Sequence, residues 1–267
     1  MAGSMVDIWL TPEERVSVMK LNQTLYQIFE SKAQQVTIDT LCLGLGYTAV
    51  TTSEGGIGLS YTYFGDKKSC MVLNDRTDYE SQPASLLLAK IKNDNSLERS
   101  MALATINALN YDAALALPED SDNNVMVDEF KIGRDSKIAM VGFFGPLVRN
   151  FKEKKIPLEI LDESRGLGRR KDFYHKLGSW ANVLLLTSTS ILNQSTEEIL
   201  ANVSAKVKTV MLGPSTPMAA KAFEHLPVHM LAGTVPVDKE KTLKAVRHGM
   251  GTPVLHKFSR KSYLSLF

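Results

Sequence analysis

Residues 137–162 constrain the fold of this chain most strongly. They hold an apolar run, Ile138-Ala139-Met140-Val141, then a glycine-bounded turn followed by proline, a helical pattern, and a second apolar run that ends at Asp162. Two apolar runs joined by a proline-started helix indicate a β-α-β unit. Parallel strands need such a crossover, which is right-handed in nearly all proteins, so the unit predicts a parallel sheet.

The rest of the C-terminal half repeats this alternation. Further strands and helices are predicted, in chain order, at residues 182–187, about 196–203, 208–212, 218–224, 228–232 and 239–249. Strands that are apolar along nearly their whole length are typical of a parallel sheet covered on both faces. We therefore predict a doubly wound α/β half. Two basic segments, 165–171 and 256–261, are interpreted as a solvated loop and tail.

The N-terminal half has a different pattern. A helix is predicted at residues 11–32, strands at 35–43, 47–52 and 57–64, and helices at 82–92 and from 96 through 109. Gly55-Gly56 supplies a hairpin turn between the last two strands, because paired glycines accept positive φ angles. An antiparallel sheet followed by helices predicts an α+β half. Polar segments at 119–124 and 133–136 place the junction, giving predicted domains at 6–125 and 126–267.

The bulk properties narrow the range of partners. A formal charge of +2 without a basic, aromatic-interleaved face predicts no nucleic-acid partner, and no apolar run approaches membrane-spanning length. Cys42 and Cys70, each in or beside an apolar run, are typical of small buried hydrophobes in a reducing cytoplasm. The opening residues 1–5 resemble an expression remnant. A cytoplasmic location is therefore expected.

A ligand site is predicted at the carboxyl ends of the parallel strands, where open α/β sheets bind their ligands. The residues there combine glycine backbones, hydroxyls, an amide and an acid: Gly142, Asp162, Thr187, Asn193, Gly213, Ser215, Thr216 and Gly233. Asp162 is read either as a ribose-binding acid or as an exposed strand end, and Ser195 or Thr196 either as a ligand group or as a helix cap. Two prolines around Ser215-Thr216 indicate rigid presentation of these hydroxyls.

Few residues of this sequence have the spacing that metal ligands require. His225 and His229 are four apart, but Pro227 between them prevents the shared helical face that such a pair requires. A metal site with oxygen ligands stays an alternative, with acids such as Glu54, Asp162 and Glu163 as the ligands.

Four segments resemble the prokaryotic family called putative heavy-metal chelation proteins. They are residues 96–109, 186–195, 231–235 and Leu212-Gly213-Pro214-Ser215-Thr216-Pro217-Met218. The resemblance implies an enolase N-terminal-like domain, a Rossmann-like C-terminal domain, and a site where the two meet. This sequence departs from the family pattern at Ser188 and Gln194, where glycines are usual, and at the first turn, where a histidine is common.

Together these features predict a protein whose interdomain cleft binds a divalent or heavy metal ion, or a metal-chelating small molecule. Glu54 and Asn107 are expected to face the strand ends across this cleft. An enzyme that uses a nucleoside-bearing cofactor such as S-adenosylmethionine is the alternative, with Asp162 on the ribose. A non-catalytic scaffold would instead carry an exposed apolar patch. The ligand, any reaction, and whether the chain forms a homo-oligomer are left open.

Overall fold

The computed structural model describes residues 20–64, 77–122 and 124–266. It contains a three-stranded antiparallel sheet and a six-stranded, mostly parallel sheet, both packed with helices. The mixed architecture predicted from the sequence, α+β first and α/β second, is confirmed. The predicted start of the first helix at Thr11 and the environment of Cys70 lie outside the described residues.

The N-terminal half places one sheet against a layer of helices. Its elements are α1 (Lys20–Gln35), β1 (Ile38–Leu43), β2 (Tyr47–Thr52), β3 (Ile57–Tyr61), α2 (Ser85–Leu88), a 3₁₀ turn (Ala89–Lys92), α3 (Ser96–Leu109) and α4 (Tyr111–Leu115). The strands pair in the order β1-β2-β3, with the glycine hairpin joining the last two.

Helix α3 is the centre of this half and lies directly on β3. Asn95 caps it, since the Asn95 Oδ1 accepts from the backbone N–H of Leu97 at 2.9 Å and of Glu98 at 3.3 Å. Nearly every later residue of α3 is buried. Gly58 makes the close approach possible: a Cβ at this position would lie only 2.1 Å from the carbonyl oxygen of Ala104. β3 is therefore held directly against a well-buried helix.

The C-terminal half alternates strands and helices. Its elements are α5 (Asn124–Glu129), β4 (Ile138–Val141), α6 (Gly145–Glu153), β5 (Leu158–Leu161), a 3₁₀ turn (Glu163–Arg165), α7 (Arg170–Ser179), β6 (Val183–Thr187), a 3₁₀ turn (Ser188–Ser190), α8 (Thr196–Ala201), β7 (Lys208–Leu212), a 3₁₀ turn (Ala220–Phe223), β8 (Met230–Pro236), α9 (Lys239–Arg247), α10 (Thr252–Leu255), a 3₁₀ turn (His256–Phe258) and β9 (Ser259–Ser265). The sheet order is β5-β4-β6-β7-β8-β9, with only β9 antiparallel among these strands.

Alternate residues of the parallel strands belong to two different cores. Ala139 and Val141 of β4 join the large cluster that also contains α3, α7 and α8. Ile138 and Met140 of the same strand join a second cluster with residues of α5 and α6. Both sheet faces are covered, which explains why the strands carry almost no polar residues. The large cluster runs through both halves, and the domain boundary near residue 125 stays a prediction.

Two segments differ from the sequence prediction. Residues 218–224 form only the short 3₁₀ turn within this range, and the Met218 carbonyl, at the predicted helix start, accepts from the Asn110 side chain at 2.9 Å. The basic tail, predicted to be solvated, instead forms the edge strand β9, which pairs along the whole of β8. Backbone pairing and the Arg260 guanidinium, which donates to the carbonyls of Leu115 and Leu117, fix this strand despite its charge. Among the described residues, no helix combines the length and apolarity needed to cross a bilayer.

Candidate functional site

A cleft of about 460 Å³ opens at the carboxyl ends of β4, β5 and β6. Gly142, Asp162 and Thr187, which follow or end these strands, form part of its lining. The N-terminal half contributes the last residue of β3, Tyr61, and two residues just beyond it. The cleft therefore lies where the two halves meet; that it is the ligand site stays a prediction, and residues other than Glu54 and Asn107 supply its N-terminal wall.

The turn after β4 presents aromatic rings to this cleft. Gly142 has a φ of +87° and a side chain there would lie 3.0 Å from the Cβ of Thr187, so only glycine fits. Phe143 follows with 38% of its surface exposed. Phe144 precedes α6 and offers no side-chain cap to it. Phe143 and Phe144 are thus both part of the cleft lining.

Asp162 lines the cleft, but its carboxylate is used locally. The Oδ1 accepts from the Ser164 hydroxyl at 2.6 Å and from the Arg165 backbone N–H at 3.2 Å. The Oδ2 lies 3.7 Å from the Arg165 Nε. These contacts stabilise the 3₁₀ turn that follows β5 in the way a helix cap does. Asp162 therefore caps this turn, and its Oδ1 is already engaged in hydrogen bonds that a ribose hydroxyl would have to replace.

Arg170 and Tyr174 line one side of the cleft and are held there by contacts with two glutamates, Glu163 and Glu198. The Arg170 guanidinium contacts Glu163 at 2.8 Å and Glu198 at 3.5 Å. The Tyr174 hydroxyl donates to the Glu198 Oε1 at 2.9 Å. Burial, and then this hydrogen bond to an anion, raise the pKa of Tyr174 well above its ordinary value. The phenol therefore stays protonated at physiological pH and remains a donor.

The loop after β6 contributes hydroxyls and an amide. The Thr187 and Thr189 hydroxyls lie 2.9 Å apart, and the Asn193 Oδ1 accepts from the Ser195 hydroxyl at 2.7 Å. The base of this loop is held by Arg99, which is buried in α3 and whose Nε donates to the Leu192 carbonyl at 2.6 Å. Burial lowers the pKa of Arg99. The loop is therefore anchored from the other half of the molecule.

The rigid turn at 213–217 forms a joint between the halves and does not line the cleft. Ser215 is 1% exposed and its Oγ accepts from the Tyr61 backbone N–H at 2.7 Å. The Asn107 Nδ2 donates to the Ser215 carbonyl at 3.2 Å and to the Leu59 carbonyl at 2.8 Å. Thr216 is buried beside them, and its hydroxyl has no hydrogen-bond partner within the described part of the chain. Ser215 and Asn107, which were predicted to face a ligand, instead hold β3 against the second half.

The glycine hairpin lies at the other end of the N-terminal sheet. Glu54 is exposed there and pairs with Lys32 at 3.2 Å. β3 runs from just after this hairpin to Tyr61, so the hairpin and the cleft are separated by the length of the strand. The expectation that Glu54 faces the strand ends was wrong, because the polypeptide meets the cleft where β3 ends and not where it begins.

The predicted site residues thus fall into two groups. Gly142, Asp162, Thr187 and Asn193 line the cleft. The others lie outside its lining: Glu54, Asn107, Gly213, Ser215, Thr216 and Gly233.

Sequence reasoning missed the aromatic and basic part of the lining: Tyr61, Tyr63, Phe64, Arg165, Arg170 and Tyr174. The run Tyr-Thr-Tyr-Phe at the end of β3 was a usable signal, because strand ends next to a ligand often carry exposed aromatics. Within the described ranges, no group of three or more His, Cys, Asp or Glu side chains could hold a metal ion.

Two solved structures share this architecture. A protein of unknown function from Pyrococcus horikoshii aligns with a TM-score of 0.75 at 19% identity, over 93% of this chain and 99% of its own. A second, from Desulfitobacterium hafniense DCB-2 and also of unknown function, aligns with a TM-score of 0.71 at 19% identity, over 91% and 98%. At this identity the likeness establishes the fold. No curated protein matches the sequence.

The fold and the cleft define a two-part α+β and α/β protein of the kind seen in these structures. Two family models identify the family to which the chain belongs. Residues 125–265 match the model of the DUF364 family and residues 26–110 match DUF4213, both described as "putative heavy-metal chelation". The chain belongs to the DUF364 family, as the resemblance implied.

Proposed function

We propose that the cleft binds a heavy metal in the form of a complex with a small organic chelator. The family description suggests heavy-metal chelation. The observation that carries the proposal is the make-up of the cleft, which has about 460 Å³ of space, hydroxyl and amide groups, and aromatic side chains. Pockets of a few hundred Å³ with apolar walls and a few polar groups are typical small-molecule sites.

A chelate fits this cleft better than a bare ion does. Protein metal sites use several thiolate, imidazole or carboxylate ligands converging on one point. Asp162 and Glu163 are the carboxylates of the lining: Asp162 accepts hydrogen bonds from the Ser164 hydroxyl and the Arg165 backbone N–H, and Glu163 pairs with Arg170. The described residues offer no cluster of three metal-binding side chains. The metal would therefore arrive with its coordination shell supplied by the chelator, and the protein would recognise the organic surface.

The alternative, a nucleoside-bearing cofactor, has less support. It relied on Asp162 as the ribose-binding acid, and this carboxylate accepts hydrogen bonds within its own turn.

Equilibrium dialysis followed by elemental analysis tests the proposal. Fe³⁺, Ni²⁺, Co²⁺ and Zn²⁺ are dialysed against the protein either alone or with citrate, acetohydroxamate and 2,3-dihydroxybenzoate. We expect saturable retention of at least one metal only when a chelator is present. Saturable binding of the bare ions would overturn the chelate form of the proposal, and no retention under any condition would overturn it altogether.

A pair of matched variants locates the binding. Asn193 and Asn150 are both exposed, but only Asn193 lines the cleft. Asn193→Trp should fill part of the cleft and lower retention at least tenfold, whereas Asn150→Trp on α6 should leave it unchanged. Equal effects of the two substitutions would place the binding elsewhere.

A further inference from the structure

The exposed aromatic side chains of this protein are concentrated in one place. Among the residues that the structure describes, Tyr61, Phe64 and Phe143 are the phenylalanine, tyrosine and tryptophan side chains classed as exposed, at 41%, 39% and 38%. All three line the cleft. Aromatic rings left in water forgo the burial that makes them stabilising, so their clustering at one cleft points to a ligand that covers them.

The aromatic rings come from both halves and their backbones are fixed. Tyr61 ends β3, where its backbone N–H is held by the Ser215 hydroxyl at 2.7 Å. Its ring meets those of Tyr47 and Tyr63 edge to face, with centroids 6.1 and 6.2 Å apart. Phe143 directly follows Gly142, whose φ of +87° sets the course of the turn. The Tyr61 and Phe143 rings are therefore presented by a backbone that is held in place, which lowers the entropic cost of stacking a ligand on them.

A positive charge accompanies these rings. The Arg165 guanidinium lies 4.8 Å from the centroid of the Phe143 ring, and its side chain is 59% exposed. Its contact with Asp162 is long, at 3.7 Å, and that carboxylate already accepts two other hydrogen bonds. Arg165 is thus placed to donate to an anionic group on the edge of a ring stacked beside Phe143.

From these contacts we infer that the ligand of the cleft is a planar aromatic molecule with an anionic, oxygen-bearing edge, such as an aryl carboxylate or a catecholate. The flat faces would stack on Tyr61, Phe64 and Phe143, and the anionic edge would lie toward Arg165 and the hydroxyls of Thr187 and Thr189. This inference rests on the proposed function, because it names the class of chelator that the cleft would take.

Calorimetric titration with two ferric complexes tests the inference separately from the proposed function. Ferric 2,3-dihydroxybenzoate carries planar aromatic rings, and ferric acetohydroxamate presents the same metal through oxygens without a ring. We expect tight binding of the first and at least tenfold weaker binding of the second. Equal or tighter binding of the hydroxamate would overturn the inference and leave the proposed function standing. Binding of neither ferric complex would overturn the inference, and it would overturn the proposed function as well only if the dialysis also shows no retention of any metal with any chelator.

Variants of two exposed residues identify the contacts. Phe143→Leu keeps the apolar volume but removes the ring face, so it should weaken the aromatic complex about threefold to tenfold, while Phe143→Tyr should bind normally. Arg165→Ala should weaken it about tenfold. Arg169→Ala is the matched control, because Arg169 is more exposed, pairs with Asp172, and is not in the lining. If Phe143→Leu weakens both complexes equally, or Arg169→Ala acts like Arg165→Ala, the inference is wrong.

Discussion

Gly58 is the position at which a single methyl group should do the most damage. A Cβ added there would lie 2.1 Å from the carbonyl oxygen of Ala104 and 2.3 Å from the backbone nitrogen of Ala108. Both contacts are with the backbone of α3, which cannot rotate away as a side chain could. Ordinary contact begins at 3.4 Å, so α3 would have to retreat from β3 by about 1.3 Å.

The cost of this shift can be estimated from the burial of α3. The helix is buried along most of its length, so a retreat loosens its contacts throughout the core. Overpacking of a well-packed core costs about 1–3 kcal/mol, and contacts with backbone atoms place Gly58→Ala at the upper end, about 3 kcal/mol. This is a large part of the total stability of an ordinary domain, about 5–15 kcal/mol.

Urea unfolding followed by far-UV circular dichroism measures the change in the free energy of unfolding. Gly46→Ala is the matched control, because a Cβ at residue 46 meets nothing within 4 Å. It should change the free energy of unfolding by less than about 1 kcal/mol. A value for Gly58→Ala within about 0.5 kcal/mol of the Gly46→Ala value would refute the account of how α3 positions β3.

Three further predictions concern the joints around the cleft. Ser215→Ala removes the acceptor of the Tyr61 N–H. It should lower the free energy of unfolding by about 1–3 kcal/mol in urea denaturation and speed hydrogen exchange of the Tyr61 amide. Unchanged exchange of that amide would contradict the prediction. Arg99→Leu removes buried hydrogen bonds to two carbonyls and should cost about 1.5–3 kcal/mol by the same assay, against less than about 0.5 kcal/mol for the exposed Arg169→Leu. The pKa of Tyr174 is raised in the folded state, so its deprotonation favours the unfolded state only above about pH 10, where the phenol of the unfolded chain ionises. Tyr174→Phe should therefore lessen the loss of stability between about pH 10 and 11. The number of phenols that titrate below about pH 10 in the folded protein, measured by spectrophotometry, should be the same in this variant as in the parent protein.

The sequence was sufficient for the architecture because the strongest patterns were those of the core. The apolar runs at 138–141, 183–186 and 210–212 are buried on both faces, and a strand of this kind has few other conformations available. The tail at 259–265 could not be predicted in this way. It is held by backbone pairing at a sheet edge and by the Arg260 contacts, which no local pattern records.

The candidate site was predictable only in part, because polarity does not say which way a side chain points. Thr187 and Asn193 follow a strand end and line the cleft. Ser215 and Asn107 have equally polar side chains at equally suggestive positions, yet they are taken up in holding the halves together, and Thr216 is buried beside them. The order of the strands in the sheet and the placement of β3 decide between these roles, and both depend on contacts between residues far apart in sequence.

The central claim is that the cleft between the two halves holds a chelated metal. Anomalous diffraction tests it most directly, with crystals grown in the presence of a ferric chelate that binds in the dialysis experiment. The account predicts an iron peak inside the cleft, within contact of Phe143 or Tyr61 through the organic ligand, and with no protein atom in the coordination shell. An iron peak bound directly by protein side chains, or one outside the cleft, would contradict it.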